Sequence, residues 1–133
     1  ITSKVLGGNL SLLVDSLGTP SEPDPASNIL IVEEIDEHLY KVDRMFTQLE
    51  RAGKLDKLAG LVVGHMTTLK DGDLKFGETV EDIILNKVKK FSYPVAFNFP
   101  IGHDSPNLAW RHGSLMTLAV DKNGSSLSPA SPV

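Results

Sequence analysis

No cysteine occurs in the 133 residues, which removes a disulfide framework, a thiol nucleophile and a thiolate metal site together. That absence fits a reducing compartment. Cationic density is missing as well: the formal net charge is −4, and no dense basic stripe suggests a nucleic-acid surface. Lys87, Lys89 and Lys90 read instead as the solvated face and C-terminal end of a helix. No apolar stretch approaches the roughly 20 residues that a membrane helix needs, and no signal-peptide pattern is visible. Neither nucleic acid nor membrane is therefore expected as a partner. There is no G-x-G-x-x-G or Walker-type loop, so no phosphate cradle is expected. The chain also lacks an opening methionine, and Ile1 is expected to be a point inside a longer protein.

What is present is an ordinary globular balance, 41% hydrophobic and 23% charged, in a length that suits one domain with a single core. The segment "GGNLSLLVDSLGTP" places Leu10, Leu13, Val14 and Leu17 at helical spacing behind Asn9, a residue suited to capping. The pattern predicts that the chain enters a helix almost at once. "SEPDPASN" is a polar, proline-rich surface loop. "ILIVEEIDE" is a continuous apolar run ending in acid, which predicts a buried strand that delivers carboxylates at its C-terminal end.

The next stretch carries Leu39, Val42, Met45, Phe46 and Leu49 on one helical face, with Gly53 as its stop. "GLVVGHMT" predicts a second buried strand, and "TVEDIILNKVKKF" a second amphipathic helix with Thr79 as cap. "YPVAFNF" predicts a third strand. Two runs flank Lys122-Asn123-Gly124, and Asn-Gly is a strong hairpin signal. The end, "SPASPV", is expected to fray. Strands that alternate with helices imply parallel pairing through right-handed crossovers, with an antiparallel ribbon added at the end.

In such a sheet the functional crevice lies outside the carboxyl ends of the strands. Those ends carry Glu33-Glu34, Gly64-His65 and Gly102-His103. Successive strand residues alternate between faces, so Glu33 and Glu34 are expected on opposite sides of the sheet. An acid and a histidine from neighbouring strand ends suit two-thirds of a serine–histidine–acid triad. No nucleophile accompanies them: no G-x-S-x-G elbow exists, and Ser105 reads as a turn residue before Pro106. A metal set of His65, His103 and Glu33 is the competing reading, without any compact ligand motif to favour it. His38 and His112 have polar neighbours and read as surface residues. Trp110 and Arg111 either border a ligand or pack at the rim. Gly7-Gly8-Asn9 either binds an anion at a helix start or presses on a neighbouring domain.

Four stretches in order, "GGNLSLL…LGTP", "ILIVEEIDE…YKVDRMFTQLERAGKL", "GLVVGH" and "FPIGHDSPN", resemble the C-terminal domain of the LD-carboxypeptidases. These serine peptidases cleave muramoyl-tetrapeptides, and microcin-immunity peptidases share the family. The resemblance runs from about Val5 to Val120. It implies an α/β fold of the swivelling β/β/α type, with a central, mostly parallel sheet, flanking helices and a C-terminal hairpin. Residues 1–133 would form the C-terminal domain, and the serine nucleophile would belong to an N-terminal domain absent from this chain.

By the same resemblance, His103 in "PIGH" is the triad histidine, and Glu33 is the triad acid with Glu34 as the alternative. "PIGH" sits closer to the peptidoglycan-recycling branch than to the microcin-immunity branch. The implied activity is hydrolysis of an L-D amide that releases a terminal D-amino acid from a cytoplasmic muropeptide. No cofactor is expected. The expected partners are a muropeptide, the missing N-terminal domain and, as a homodimer, a second copy. The chain alone would be inactive. A non-catalytic binding or dimerisation domain of the same fold is the alternative from another class.

Overall fold

Residues 1–130 are described by a computed structural model in which six strands and three helices alternate. In order these are β1 (Thr2–Asn9), α1 (Leu10–Asp15), β2 (Ile29–Ile35), α2 (Leu39–Arg51) and β3 (Gly60–Thr67). They are followed by α3 (Val80–Val88), β4 (Val95–Ala96), β5 (Leu115–Asp121) and β6 (Gly124–Pro129). One sheet takes the order β4-β3-β2-β1-β5-β6. Strands β1 to β4 pair in parallel, and β5 runs antiparallel to both β1 and β6. The mostly parallel α/β sheet with a terminal hairpin is as the alternation predicts. The expectation that the chain end frays falls partly on residues 131–133, which lie outside the described residues; Ser128 and Pro129 belong to β6.

The opening of the chain differs from expectation. It is a strand, β1, paired on both sides, and α1 is a short helix that ends before Leu17. In "TSKVLGGN" only Val5 and Leu6 are buried, too short an apolar run to announce a strand, and the paired glycines read as the approach to a helix start. The run "YPVAFNF" contributes only Val95 and Ala96 to the sheet. Pro94 has no N–H for the ladder, and Asn98 turns the chain at φ 58°. The stretch still follows β3, because Leu61 N–H donates to the Pro94 carbonyl and Phe99 N–H donates to that of Val63.

Alternation along the strands divides the core. Leu30, Val32, Leu61 and Val63 face the helices and meet Leu10 and Leu13 of α1, Val42, Phe46 and Leu49 of α2, and Ile83, Ile84 and Val88 of α3. Ile29, Ile31 and Val62 face the other way, with Val5, Ala96, Ile101 and Leu118. That second face is roofed by Phe99, Trp110, Met116 and Leu127 rather than by a helix. Helices α1 and α3 begin where a side chain satisfies their first amides, whereas α2 starts behind His38 without a side-chain cap. Asn9 accepts from Leu12 N–H, and Thr79 and Asp82 form a reciprocal capping box at α3. Among the described residues, no helix is long and apolar enough to cross a membrane.

Phe46 is fully buried and heads the large side chains of the helix-facing core. Replacing it with alanine should cost about 3–5 kcal/mol of unfolding free energy, read from chemical denaturation midpoints at constant slope.

Candidate functional site

The site forms where β2, β3 and the segment after β4 end together. Glu33 and Glu34 are both buried, on consecutive residues of β2, and the alternation of the strand sends them to opposite faces. Glu34 points to the helix side. Its Oε1 accepts from Asn9 Nδ2 at 2.9 Å and from Ile35 N–H at 3.0 Å; its Oε2 accepts from Ser11 N–H at 2.9 Å and from Ser11 Oγ at 2.6 Å. The carboxylate at this helix start, beside Asn9, is thus one of the protein's own. Sequence reading did not find this network, although Asn9 and Ser11 flanking a helix start were its visible signal.

Glu33 points to the other face. Its Oε2 lies 2.7 Å from His103 Nδ1, across 70 residues of sequence. The carboxylate side chain is only 7% exposed while the imidazole is 50% exposed, so a buried acid holds a ring that opens to solvent. A carboxylate accepts only, so Nδ1 carries the proton and Nε2 of the neutral ring carries the lone pair. Nε2 makes no hydrogen bond among the described residues. The hydrogen bond to Glu33, followed by the charge of that carboxylate, raises the His103 pKa above the ordinary histidine value.

Two glycines allow this approach. Gly102 sits at φ 132°, and a Cβ there would stand 2.9 Å from Glu33 Oε2, 3.1 Å from Glu33 Cβ and 3.2 Å from His65 Cβ. A side chain on Gly64 would collide with the Ile101 carbonyl oxygen. The region between Glu33 and the loop is therefore closed to anything larger than hydrogen.

A break in the ladder sets the third strand end. Between Val32 and Glu34 the pairing to β3 shifts, so that Gly64 and His65 lie in a bulge opposite Glu33. The His65 amide donates to the Ile101 carbonyl at 2.7 Å, and its ring Nε2 lies 2.8 Å from the Pro106 carbonyl oxygen. His65, Glu33 and His103 are thus neighbours, yet the His65 ring is bonded to the loop backbone and not to the pair. Among the described residues no three histidine, aspartate or glutamate side chains gather as a metal set.

The other singled-out residues lie elsewhere. Ser105 is exposed in the turn, its amide donating to Asp104 Oδ1 at 2.8 Å. His38 precedes α2 and stacks on Tyr40, and His112 is exposed beside Trp110. Trp110 packs against the second face of the core at the rim of an open hollow of about 230 Å³ shared with Phe99, Ile101, Leu108 and Met116. Arg111 is exposed.

Folding raises the affinity of His103 for a proton, so the pair adds stability fully below the ordinary histidine value of about 6.5. That contribution is lost as pH rises through the higher folded value. Glu33→Gln should return the His103 pKa toward about 6.5, read from an NMR titration of the imidazole resonances. An unchanged titration would show that Glu33 does not hold the ring. Gly102→Ala should destabilise the chain by about 1–3 kcal/mol in denaturant unfolding and lower the same titration midpoint.

Comparison with known proteins yields a consistent set of relatives. The family model described as the LD-carboxypeptidase C-terminal domain matches residues 2–118. A protein named probable murein peptide carboxypeptidase, from Bacillus subtilis (strain 168), is 38% identical over 110 residues, covering 80% of this chain and 33% of the relative. The crystal structure of muramoyltetrapeptide carboxypeptidase from Oxalobacter formigenes superposes with a TM-score of 0.86 at 32% identity, covering 99% of this chain and 47% of that one. A microcin C7 self-immunity protein superposes with a TM-score of 0.82 at 22% identity, over 98% of this chain and 39% of that one, a likeness of fold alone. The chain spans between 30% and 39% of the length of five curated relatives that it matches.

Proposed function

Since this chain belongs to the LD-carboxypeptidase family, as its C-terminal domain, we propose that it supplies the acid and the base of a serine–glutamate–histidine triad. The observation that carries this reading is the 2.7 Å contact of buried Glu33 with His103 Nδ1, which leaves Nε2 free on the open side of the ring. Glu33 sets the tautomer and stabilises the imidazolium; His103 is the general base and then the general acid. The serine and its oxyanion hole belong to an N-terminal domain outside this chain.

In the assembled enzyme the serine Oγ gives its proton to Nε2 and bonds to the carbonyl carbon of an L-D amide. As the tetrahedral adduct collapses, the C–N bond breaks and the imidazolium returns the proton to the departing amine of the terminal D-amino acid. Water then gives a proton to the same ring and bonds to the acyl carbon; the ester C–O bond breaks and the imidazolium returns that proton to the serine Oγ. The substrate class is a muropeptide, supported by the names of the Bacillus relative and of the Oxalobacter structure. The peptide is handled in the cytoplasm, as the resemblance implies.

In the protein carrying both domains, His103→Ala should lower kcat by about 10⁴-fold or more on a muropeptide, while the denaturation midpoint moves little because the ring is half-exposed. Retained turnover would remove His103 from the mechanism and favour a non-catalytic domain of the same fold. The base must be deprotonated, so kcat/KM should rise with pH through a midpoint above about 6.5, and this acid limb should move down in Glu33→Gln. Residues 1–133 alone should turn over no muropeptide; activity there would overturn the division of the triad between domains.

A further inference from the structure

The loop that presents His103 has few anchors of its own. Residues 103–109 are exposed, and the turn closes through Gly102 N–H to Asn107 Oδ1 at 3.1 Å and Leu108 N–H to the Pro100 carbonyl at 2.7 Å. Pro106 has no N–H, so its carbonyl is the one main-chain group by which that residue can be held. His65 holds it. The residue grips the loop on both sides of His103: its amide takes the Ile101 carbonyl at 2.7 Å, and its ring Nε2 takes that of Pro106 at 2.8 Å.

Alternation along β3 explains the backbone half of this grip: Leu61 N–H meets the Pro94 carbonyl, the Val63 carbonyl takes Phe99 N–H, and His65 N–H meets Ile101 on the same side. The bulge opposite Glu33 places His65 beside the loop. A carbonyl only accepts, so Nε2 must carry a hydrogen. It does so in the Nε2–H neutral tautomer and in the imidazolium alike. The bond therefore survives either charge state, and His65 acts as a fixed clamp, not as a switch.

We infer that His65 is a positioning residue: by tying Ile101 and Pro106 to the bulge in β3, it fixes the loop so that His103 stays seated on Glu33. The kinetic part of this inference rests on His103 being the general base; the seating itself does not. Glutamine can present an amide N–H near the place of the histidine Nε2, whereas methionine fills similar space without a donor.

His65→Met and His65→Gln are compared by two readouts. In the NMR titration of this chain, His103 in His65→Met should shift toward about 6.5, and His65→Gln should stay near the wild-type midpoint. In the protein carrying both domains, His65→Met should lose about 10- to 100-fold in kcat with KM changed less than about threefold, and His65→Gln should recover most of it. A His103 titration in His65→Met identical to wild type overturns the inference. So does failure of both variants to fold, which would make His65 a requirement of the sheet and not of the loop. If the titration shifts as expected while His103→Ala keeps its turnover, the clamp stands and the catalytic reading falls.

Discussion

Burying a carboxylate is costly unless its oxygens find donors, and β2 buries two in succession. The molecule is arranged around meeting that requirement. Glu34 is met by the β1–α1 corner, through the Asn9 side chain and the amide and hydroxyl of Ser11 at the start of a short helix. Glu33 is met by His103, on a loop that begins beyond β4. Each acid thereby ties a distant segment to the carboxyl end of the central strand. The requirement also explains the glycines: Gly64 and Gly102 leave the space through which a loop can come close to a buried acid. Without that space Glu33 would be an unpaired charge in the interior.

Much of this was legible in the sequence, and the illegible part has a physical pattern. Strands β2 and β3 and helices α2 and α3 are long enough, and periodic enough, for their buried faces to appear as runs or stripes. The hairpin announced itself through Asn123-Gly124. Strand β1 did not, because its neighbours in the sheet bury only Val5 and Leu6 in a run otherwise polar or glycine. The shortness of β4 is fixed by Pro94 and by the left-handed Asn98, which override an apolar composition.

At the site, strand-end placement brought Glu33, His65 and His103 into one neighbourhood before any coordinates. Alternation predicted that Glu33 and Glu34 face apart, but not which of them faces His103. That choice depends on which side of the sheet the loop crosses, a long-range fact that no local spacing carries. The partner of His65 was equally hidden, since a bulge in a parallel pair leaves no sequence mark beyond a glycine. The failed search for a nucleophile was informative in its own right. What the described residues show is a buried acid paired with a half-exposed imidazole, the two members that strand-end placement had offered.

The backbone layer at the end of β2 also works as a partition. Glu33 and Glu34 are one peptide bond apart, yet their side chains belong to separate compartments, one facing the His103 loop and one facing α1. Every hydrogen bond of Glu34 is made on the helix side. The hydrogen bonds of the two acids are separate while their charges are not: besides Glu33, the Glu34 carboxylate also helps to raise the His103 pKa. A single strand thus gives one acid a ring that opens to solvent and the other a place inside the fold.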